Sequence, residues 1–521
     1  MENASATVSE TGQQTISCEE TFCEDGTHAD TLAELFRNRL RYAVHQGKWR
    51  YWNGKVWETI GDSRVIHLAR EALLEHYRPL LCEQDASRRN VATRLYKQAN
   101  QLVRLSAALK ILAGRDGVYT KSSEWDRNPW LLNLNNGILD LEKGVLLPHS
   151  PEYLCTKLAP VDYSPGANGT KWRQHIQRFL PNPNVRRQVQ RYLGSALVGV
   201  VSEEVLQIWY GTGANGKTTT VRALLQVLGD YADRTAPNLL VKSGVERHPT
   251  EIADLVGLRL AFSTEIDQGK HLAEALVKEL TGGDRKKARF MRQDFFSFEQ
   301  TFNLVLITNH KPVISGTDEG IWRRIQLIPW EVSIPPSERR PQDEVIAELA
   351  AEGSEILNWL LDGLADWKRD RHWIASEVKA ASEAYRREMD AIGDFLAECC
   401  ELDRRYEVPK ATLYAAYERW CQDNGERPIS RRAFTTRLQD RGISGRRAGY
   451  EKVRMYCGIR LRPEAERLAT DALRPTWKPG PTQSNPDSDV RTQSFGHISE
   501  NCGRSGRSGR RAMGDYDVTH D

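Results

Sequence analysis

Val205-Leu-Gln-Ile-Trp-Tyr210, then Gly211-Thr-Gly-Ala-Asn-Gly-Lys-Thr218, then Thr219-Thr-Val-Arg-Ala-Leu-Leu-Gln-Val-Leu228 is the stretch that decides the fold class. The first run is apolar and short, and reads as a buried strand. The last has helical spacing and stops at Gly229, a residue suited to ending a helix. Between them the sequence satisfies G-x-x-x-x-G-K-[ST]. A strand, a glycine loop and a helix in succession let backbone N–H groups close around phosphates, and the helix N-terminus adds positive potential. On this reading Gly211, Thr212, Gly213, Ala214, Asn215 and Gly216 form the cradle. Lys217 neutralises the terminal phosphates, and Thr218 holds Mg²⁺ through its hydroxyl. The expected ligands are ATP and Mg²⁺; the rival is a glycine turn that binds nothing.

Strand and helix patterns alternate from Val205 to about Val332, as in an α/β domain. Arg259-Leu-Ala-Phe-Ser-Thr-Glu265 is a short apolar strand ending in an acid. Glu265 is expected to orient the attacking water and contact the metal, assisted by Asp267. The next strand, Phe302-Asn-Leu-Val-Leu-Ile-Thr-Asn309, ends in a polar pair, with Asn309 placed to meet the γ-phosphate. Arg323 and Arg324 follow. A guanidinium from one of them, reaching a neighbour's nucleotide, would stabilise charge in phosphoryl transfer and put the site between subunits. Ordinary surface arginines are the alternative.

The bulk numbers set limits. A chain of 521 residues exceeds one ordinary domain. Its 40 % hydrophobic and 27 % charged residues are those of a soluble globular protein. No apolar run approaches the roughly 20 residues of a membrane span. The first thirty residues carry no Lys or Arg, so no signal-like segment is read, and the expected location is cytoplasmic. The nine cysteines are scattered without a Cys-x-x-Cys pair, which argues against zinc or a disulfide framework. A net charge of +3 says little about partners; its distribution, acidic at the start and basic later, says more.

Elsewhere, residues 1–29 read as a disordered acidic segment, with a helix starting at Asp30 as N-cap. Lys48–Trp57 reads as an aromatic hairpin with a type I′ turn at Asn53-Gly54. Arg64 to Ala113 has helical spacing. A second hairpin spans Gly137–Leu147, with Lys143-Gly144 near its turn. Asp140 and Glu142 stand two apart and would share a strand face. With His149 they would be the carboxylate pair of a nucleotidyl transferase, against the preferred reading of a solvated strand face. Helices are expected over Trp172–Val200 and Gln342–Leu402, and a small helical unit ending in a hairpin over Tyr406–Arg462. Beyond Leu473 the Pro, Ser, Gly and Arg content predicts a disordered basic tail.

These motifs resemble a known family. Gly-x-Gly-x-Asn-Gly-Lys-Thr is close to the phosphate loop of superfamily 3 helicases. Lys278…Thr281-Gly-Gly-Asp284…Arg289, Thr308-Asn309-His-Lys-Pro312 and Trp322-Arg-Arg324 are similar to the phage, plasmid and poxvirus primase-helicases. Asn133–Leu141 with Leu193-Gly194 resembles that family's region before the motor. Leu413-Tyr-x-x-Tyr417…Trp420-Cys421 and Phe434…Leu438…Arg441-Gly442 resemble its C-terminal winged helix. The resemblance implies an N-terminal α+β region at 30–170, an AAA+-like P-loop core at 171–335, helices at 336–402, a winged helix at 403–463 and a tail at 464–521. It implies a hexameric helicase on single-stranded and forked DNA, driven by Lys217, Thr218, Glu265, Asn309 and Arg323 or Arg324. A separate primase and other replication proteins are the implied further partners. Thr264 stands where many relatives have a second acid, and too few residues precede the aligned region for a primase domain. A loader or regulatory ATPase is the alternative, and a primase the less favoured one.

Two basic stretches are the expected DNA contacts. Lys278, Arg285, Lys286, Lys287, Arg289 and Arg292 lie between acid and sensor, with Phe290 or Phe295 to touch bases. In the family this stretch is a hairpin in the ring's pore. From Gly425 to Arg462 there are eleven Lys or Arg against three Asp or Glu, and a helix would present Arg431, Arg432 and Arg437. A solvated charged helix and a protein-docking face are the respective rivals.

Overall fold

The computed structural model describes residues 24–201, 203–243, 250–264, 267–291, 294–316, 318–425, 428–448 and 452–473. Residues 1–23, the tail beyond Leu473, Glu265, Arg292 and the hairpin tip at Gly449 lie outside the described residues.

The first region packs helices on a small sheet. Helix α1 (Glu24–Leu35) begins before the expected cap at Asp30, because His28 and Ala29 already face the core. Strands β1 (Leu40–Ala43), β2 (Lys48–Trp52) and β3 (Trp57–Ile60) follow, then α2 (Asp62–Tyr77), α3 (Ala86–Gln98), α4 (Leu102–Ala113) and β4 (Tyr119–Thr120). The sheet order is β3-β2-β1-β4. The aromatic hairpin forms with Trp52 opposite Trp57. Its loop differs from the expected type I′ turn: the Asn53 side chain accepts the N–H groups of Lys55 and Val56, both at 2.9 Å, and closes a wider turn.

A meander of β5 (Leu131–Leu134), β6 (Gly137–Asp140) and β7 (Val145–Leu147) joins this region to the next. Asp140 and Glu142 do not share a strand face. Asp140 ends β6, and its carboxylate accepts the N–H groups of Glu142 and Lys143 at 3.0 Å each, capping the turn in which Glu142 sits. Burial works against ionisation there, yet these bonds hold the carboxyl below its ordinary value. Among the described residues no cluster of His, Cys, Asp and Glu is placed to hold a metal.

Helices α5 (Thr170–Phe179) and α6 (Pro183–Ser195) lead to a five-stranded sheet. Its members are β8 (Leu206–Tyr210), β9 (Ala232–Arg234), β10 (Leu260–Thr264), β13 (Asn303–Thr308) and β14 (Ile325–Pro329). The order β14-β8-β13-β10-β9 is parallel throughout. Inner strands of such a sheet are buried on both faces, which is why β8 and β13 read as mainly apolar runs, with Gln207 and Asn303 buried among them. Helix α7 (Lys217–Leu228) follows β8; α8 (Thr250–Ala253) and α9 (Glu274–Thr281) flank β10. Between α9 and β13, β11 (Lys286–Ala288) and β12 (Phe296–Phe298) form an antiparallel hairpin. Short α10 (Glu319–Trp322) precedes β14. Helices α11 (Gln342–Ala350), α12 (Gly353–Arg369) and α13 (Ser376–Glu388) wrap the sheet, burying Trp209, Trp330, Trp359 and Trp367.

The last unit comprises α14 (Ala391–Cys399), β15 (Cys400–Pro409), α15 (Lys410–Asp423), α16 (Arg431–Asp440), β16 (Ser444–Ala448), β17 (Val453–Leu461) and α17 (Pro463–Leu473). The sheet is antiparallel with order β15-β17-β16, over a core of Phe395, Tyr417, Phe434 and Tyr456. It opens on a strand that the sequence reading placed in a helical unit; Cys400 and Val408 are buried there against α14 and α15. The whole is a mixed α/β protein with a parallel central sheet. Among the described residues no helix is long and apolar enough to cross a membrane.

Candidate functional site

The loop after β8 leaves the sheet at its C-terminal edge, where open parallel sheets hold their ligands. Gly211 is fixed there by close approach: a Cβ on it would lie 2.1 Å from the Trp330 carbonyl oxygen and 2.3 Å from Asn215 Nδ2. Gly216, at φ 76°, starts α7 from the left-handed region and sits against the Phe179 ring. Asn215 ties the loop to the end of β14, its Nδ2 donating to the Trp330 carbonyl at 3.0 Å. The loop's first helical residue, Lys217, is therefore held inside the cradle.

Lys217 is 3 % exposed. Its ammonium donates to the Gly211 carbonyl at 2.6 Å, to Asn215 Oδ1 at 3.0 Å and to Asn309 Oδ1 at 3.3 Å. All three acceptors are neutral. Burial pushes this lysine down to about 8. An ammonium with neutral partners inside a cleft is a site for an anion. Asn309 reaches it because β13 lies beside β8, with Thr308 opposite Tyr210. Thr218 is exposed at the mouth of the same cleft.

The cleft, about 560 Å³, is lined by Gly213–Thr219 and Thr308-Asn309 and by two walls the sequence reading did not assign. One is α5, through His175 and Phe179; the other is the Ile334–Leu349 segment. His175 Nε2 lies 2.9 Å from Thr220 Oγ1, and burial pushes it down to about 4, so the ring is neutral. No local pattern announces these walls, since each comes from an amphipathic helix remote in sequence.

The structure separates the other expected residues. Glu265 and Arg292 lie outside the described residues, and Asp267 is exposed. Arg324 is not free to reach a neighbour: its side chain is 11 % exposed, 2.7 Å from Glu204 and bonded to the Gly320 carbonyl at 2.7 Å. Arg323 is 59 % exposed with a looser 3.2 Å contact to the same carboxylate. Both stand at the sheet edge opposite the loop, since the Leu206 N–H donates to the Arg324 carbonyl and Leu206 lies opposite Ile325. The length of β8, about 17 Å, keeps them from this chain's own cleft.

In the basic stretch, Lys286 departs from its expected role. It is buried and donates to the Glu279 carbonyl, and desolvation lowers its pKa. Lys278 pairs with Asp318 at 2.8 Å, and Arg285 with Glu299 at 3.0 Å. Lys287 is exposed, and Arg289 lies over the Phe295 ring at 4.9 Å. Phe295 and Met291, near the hairpin tip, are 60 % and 74 % exposed. On α16, Arg432 is exposed and Arg431 lies over the Tyr414 ring at 5.0 Å. Arg437 is turned away from solvent and donates to the Ser315 carbonyl, docking α16 on the loop after β13.

Segments on either side of the glycine loop are similar to known protein families. Residues 29–181 match the family described as D5 N terminal like, and residues 387–453 match Poxvirus D5 protein-like. The L207/L206 protein of Acanthamoeba polyphaga mimivirus, named as a helicase, is 25 % identical over 443 residues, 76 % of this chain and 46 % of its own length. The C962R protein of African swine fever virus (strain Badajoz 1971 Vero-adapted), named as a primase, is 25 % identical over 410 residues, 71 % of this chain and 41 % of its own. The chain thus spans less than half the length of these relatives. The solved apo C-terminal region of NrS-1 has a TM-score of 0.45 and 10 % identity, covering 84 % of this chain and all of that one. One segment similar to a D5-type family thus lies on either side of the Gly211–Thr218 loop, and relatives named as helicase and primase in large DNA viruses resemble the chain at about 25 % identity.

Proposed function

We propose that this protein is an ATP-driven DNA helicase of a replication system, working as a ring. One observation carries the reading: Lys217, within its glycine loop, touches Asn309 on the adjacent strand. Loop and sensor therefore converge on one buried ammonium whose partners are neutral. The strand order, with the sheet's members appearing as fifth, first, fourth, third and second, supports an AAA+-like P-loop core. The helix, helix and hairpin plan of the last unit supports a winged helix.

The residues fit the nucleotide. Gly211 to Gly216 bring the backbone against phosphate, Lys217 supplies the positive charge, and Asn309 positions the terminal phosphate. Thr218, an exposed hydroxyl at the cleft mouth, fits the one or two oxygen ligands that Mg²⁺ takes from a protein. Mg²⁺, when bound, neutralises charge on the β- and γ-phosphates. Glu265, next after β10, is assigned the attacking water. Arg323, exposed at the far sheet edge, is the arginine that serves a neighbouring subunit's cleft, which makes the ring part of the active site. Lys287, Arg289 and Phe295 on the β11–β12 hairpin are assigned to single-stranded DNA.

Lys217→Ala in the full chain tests this. DNA-stimulated ATP hydrolysis and unwinding of a forked duplex should both vanish; unaffected hydrolysis refutes the site. Hydrolysis by the wild type without unwinding would instead identify a loader ATPase.

A further inference from the structure

The β16–β17 hairpin carries charge unequally on its two faces. On the outer face the arginines are matched: Arg446 makes two bonds of 2.7 Å to Glu407, and Arg460 lies 2.8 Å and 2.5 Å from Glu401. The helix-side face is marked by Tyr456, whose hydroxyl lies 2.7 Å from Thr435 of α16. Arg454, two residues earlier on the same strand, shares that face, whereas the alternation shifts at Gly458, at φ 91°, so that Arg460 beyond it faces outward. Its cross-strand partner is Arg447. Both are exposed, and among the described residues neither has a carboxylate within ion-pair reach. Lys410 adds a third positive charge at the foot of the hairpin, its ammonium 4.3 Å over the Tyr456 ring.

Like charges directly opposite on a two-stranded ladder oppose folding. A fold that matches every arginine on one face and sets two against each other on the other is arranged for an external anion. Among the described residues the face offers no exposed aromatic ring for base stacking, since Tyr456 and Phe434 are buried. A pair of bare guanidinium groups without a stacking platform favours the phosphates of a duplex over the single-strand mode. Docking orients it: Arg437 of α16 and Arg441 just after it are committed to Ser315 and Asp390, which leaves the hairpin pair, with Arg432, among the unit's exposed basic groups that have no carboxylate partner among the described residues.

We propose that Arg447 and Arg454, with Lys410, form a duplex-DNA backbone site on this hairpin. The inference rests on the reading of the last unit as a winged helix and extends it to residues outside α16.

The test measures binding of a labelled blunt duplex to the full chain across a salt series, without nucleotide. Two lost phosphate contacts should lower the slope of log K against log salt by about 1.8 in R447A/R454A. R446A/R460A, which removes equal charge from the outer face, should leave the slope unchanged. The thermal midpoint of R447A/R454A should hold or rise. An unchanged slope, or a wild type that does not bind duplex, overturns the proposal. So does an equal loss on a single-stranded oligonucleotide, or a lowered midpoint, which would assign the arginines to the fold. An acidic protein displacing nothing from the duplex-bound form agrees with the proposal; one that binds in its place without DNA affinity overturns it. None of these outcomes depends on Lys217, so the motor reading stands or falls separately.

Discussion

Raising the pH from 7 to 9 should weaken ATP binding about tenfold, and the reason lies in one side chain. Burial among neutral acceptors brings the Lys217 ammonium down to about 8 in the free protein. At pH 7 roughly nine-tenths of the molecules hold the proton, and at pH 9 roughly one-tenth, a ratio near ten. Phosphate needs the charged form and keeps it charged once bound, so affinity falls with the free-state fraction. Folding of the apo protein carries the opposite sign. The unfolded chain keeps this proton up to the ordinary lysine value of 10.5, while the folded one releases it near 8. The unfolded state binds more protons between these values, so apo stability rises with pH through that window. Titrating a fluorescent ATP analogue at pH 7, 8 and 9 measures the first effect. Lys217→Arg, charged throughout, should remove the pH dependence whatever it does to affinity. A flat wild-type profile refutes the claim that a desolvated Lys217 governs binding.

The two neighbouring arginines should part company. Arg324→Ala should cost about 1.5–3 kcal/mol in denaturant unfolding, because a buried charged donor leaves Glu204 and Gly320 without it. Arg323→Ala should cost under about 1 kcal/mol, as expected for a surface pair, while lowering ATPase in the assembled protein. Gly211→Ala should lower the unfolding free energy by about 1–3 kcal/mol, seen as a lower midpoint in calorimetry, since its methyl meets the Trp330 carbonyl at 2.1 Å. Lys286→Ala should destabilise the β11–β12 hairpin, seen as faster hydrogen exchange there, whereas Lys287→Ala should leave exchange intact and weaken single-strand binding.

How much of this was legible depended on whether the signal was local. The Val205–Leu228 stretch states its own conformation: an apolar strand, glycines that only a tight loop needs, and a helix closed by Gly229. The hairpin at Lys48–Trp57 was legible for the same reason, though the residue that closes it, Asn53, works through its side chain and widens the turn. Charge was read less well. Lys286, Arg324 and Arg437 look like their exposed neighbours in sequence, and only packing tells which guanidinium or ammonium finds a carbonyl inside. The alternation in β11 decides it for Lys286, which points inward as Ala288 does while Lys287 points out. The walls of the cleft, α5 and the Ile334–Leu349 segment, lie far from the loop along the chain and carry no motif.

The same packing links the cleft to the C-terminal unit. Asn309 meets Lys217, and two residues on Lys311 pairs with Glu388 and lies over the rings of Tyr210 and Tyr385. Glu388 ends α13, and Asp390 just beyond it both caps α14 and pairs with Arg441 of α16. Further along the same loop, Ser315 accepts Arg437 through its carbonyl and donates its N–H to Glu274 of α9 at 2.7 Å. The segment from Asn309 to α10 is thus gripped by the sheet on one side and by α16 on the other. Arg323 and Arg324 follow directly on α10. A shift of this segment when phosphate draws Lys217 away from Asn309 would be felt at once by α16 and by the arginine edge. On the proposed reading, the end of β13, rather than the glycine loop itself, is the place where nucleotide state and DNA-facing elements would meet.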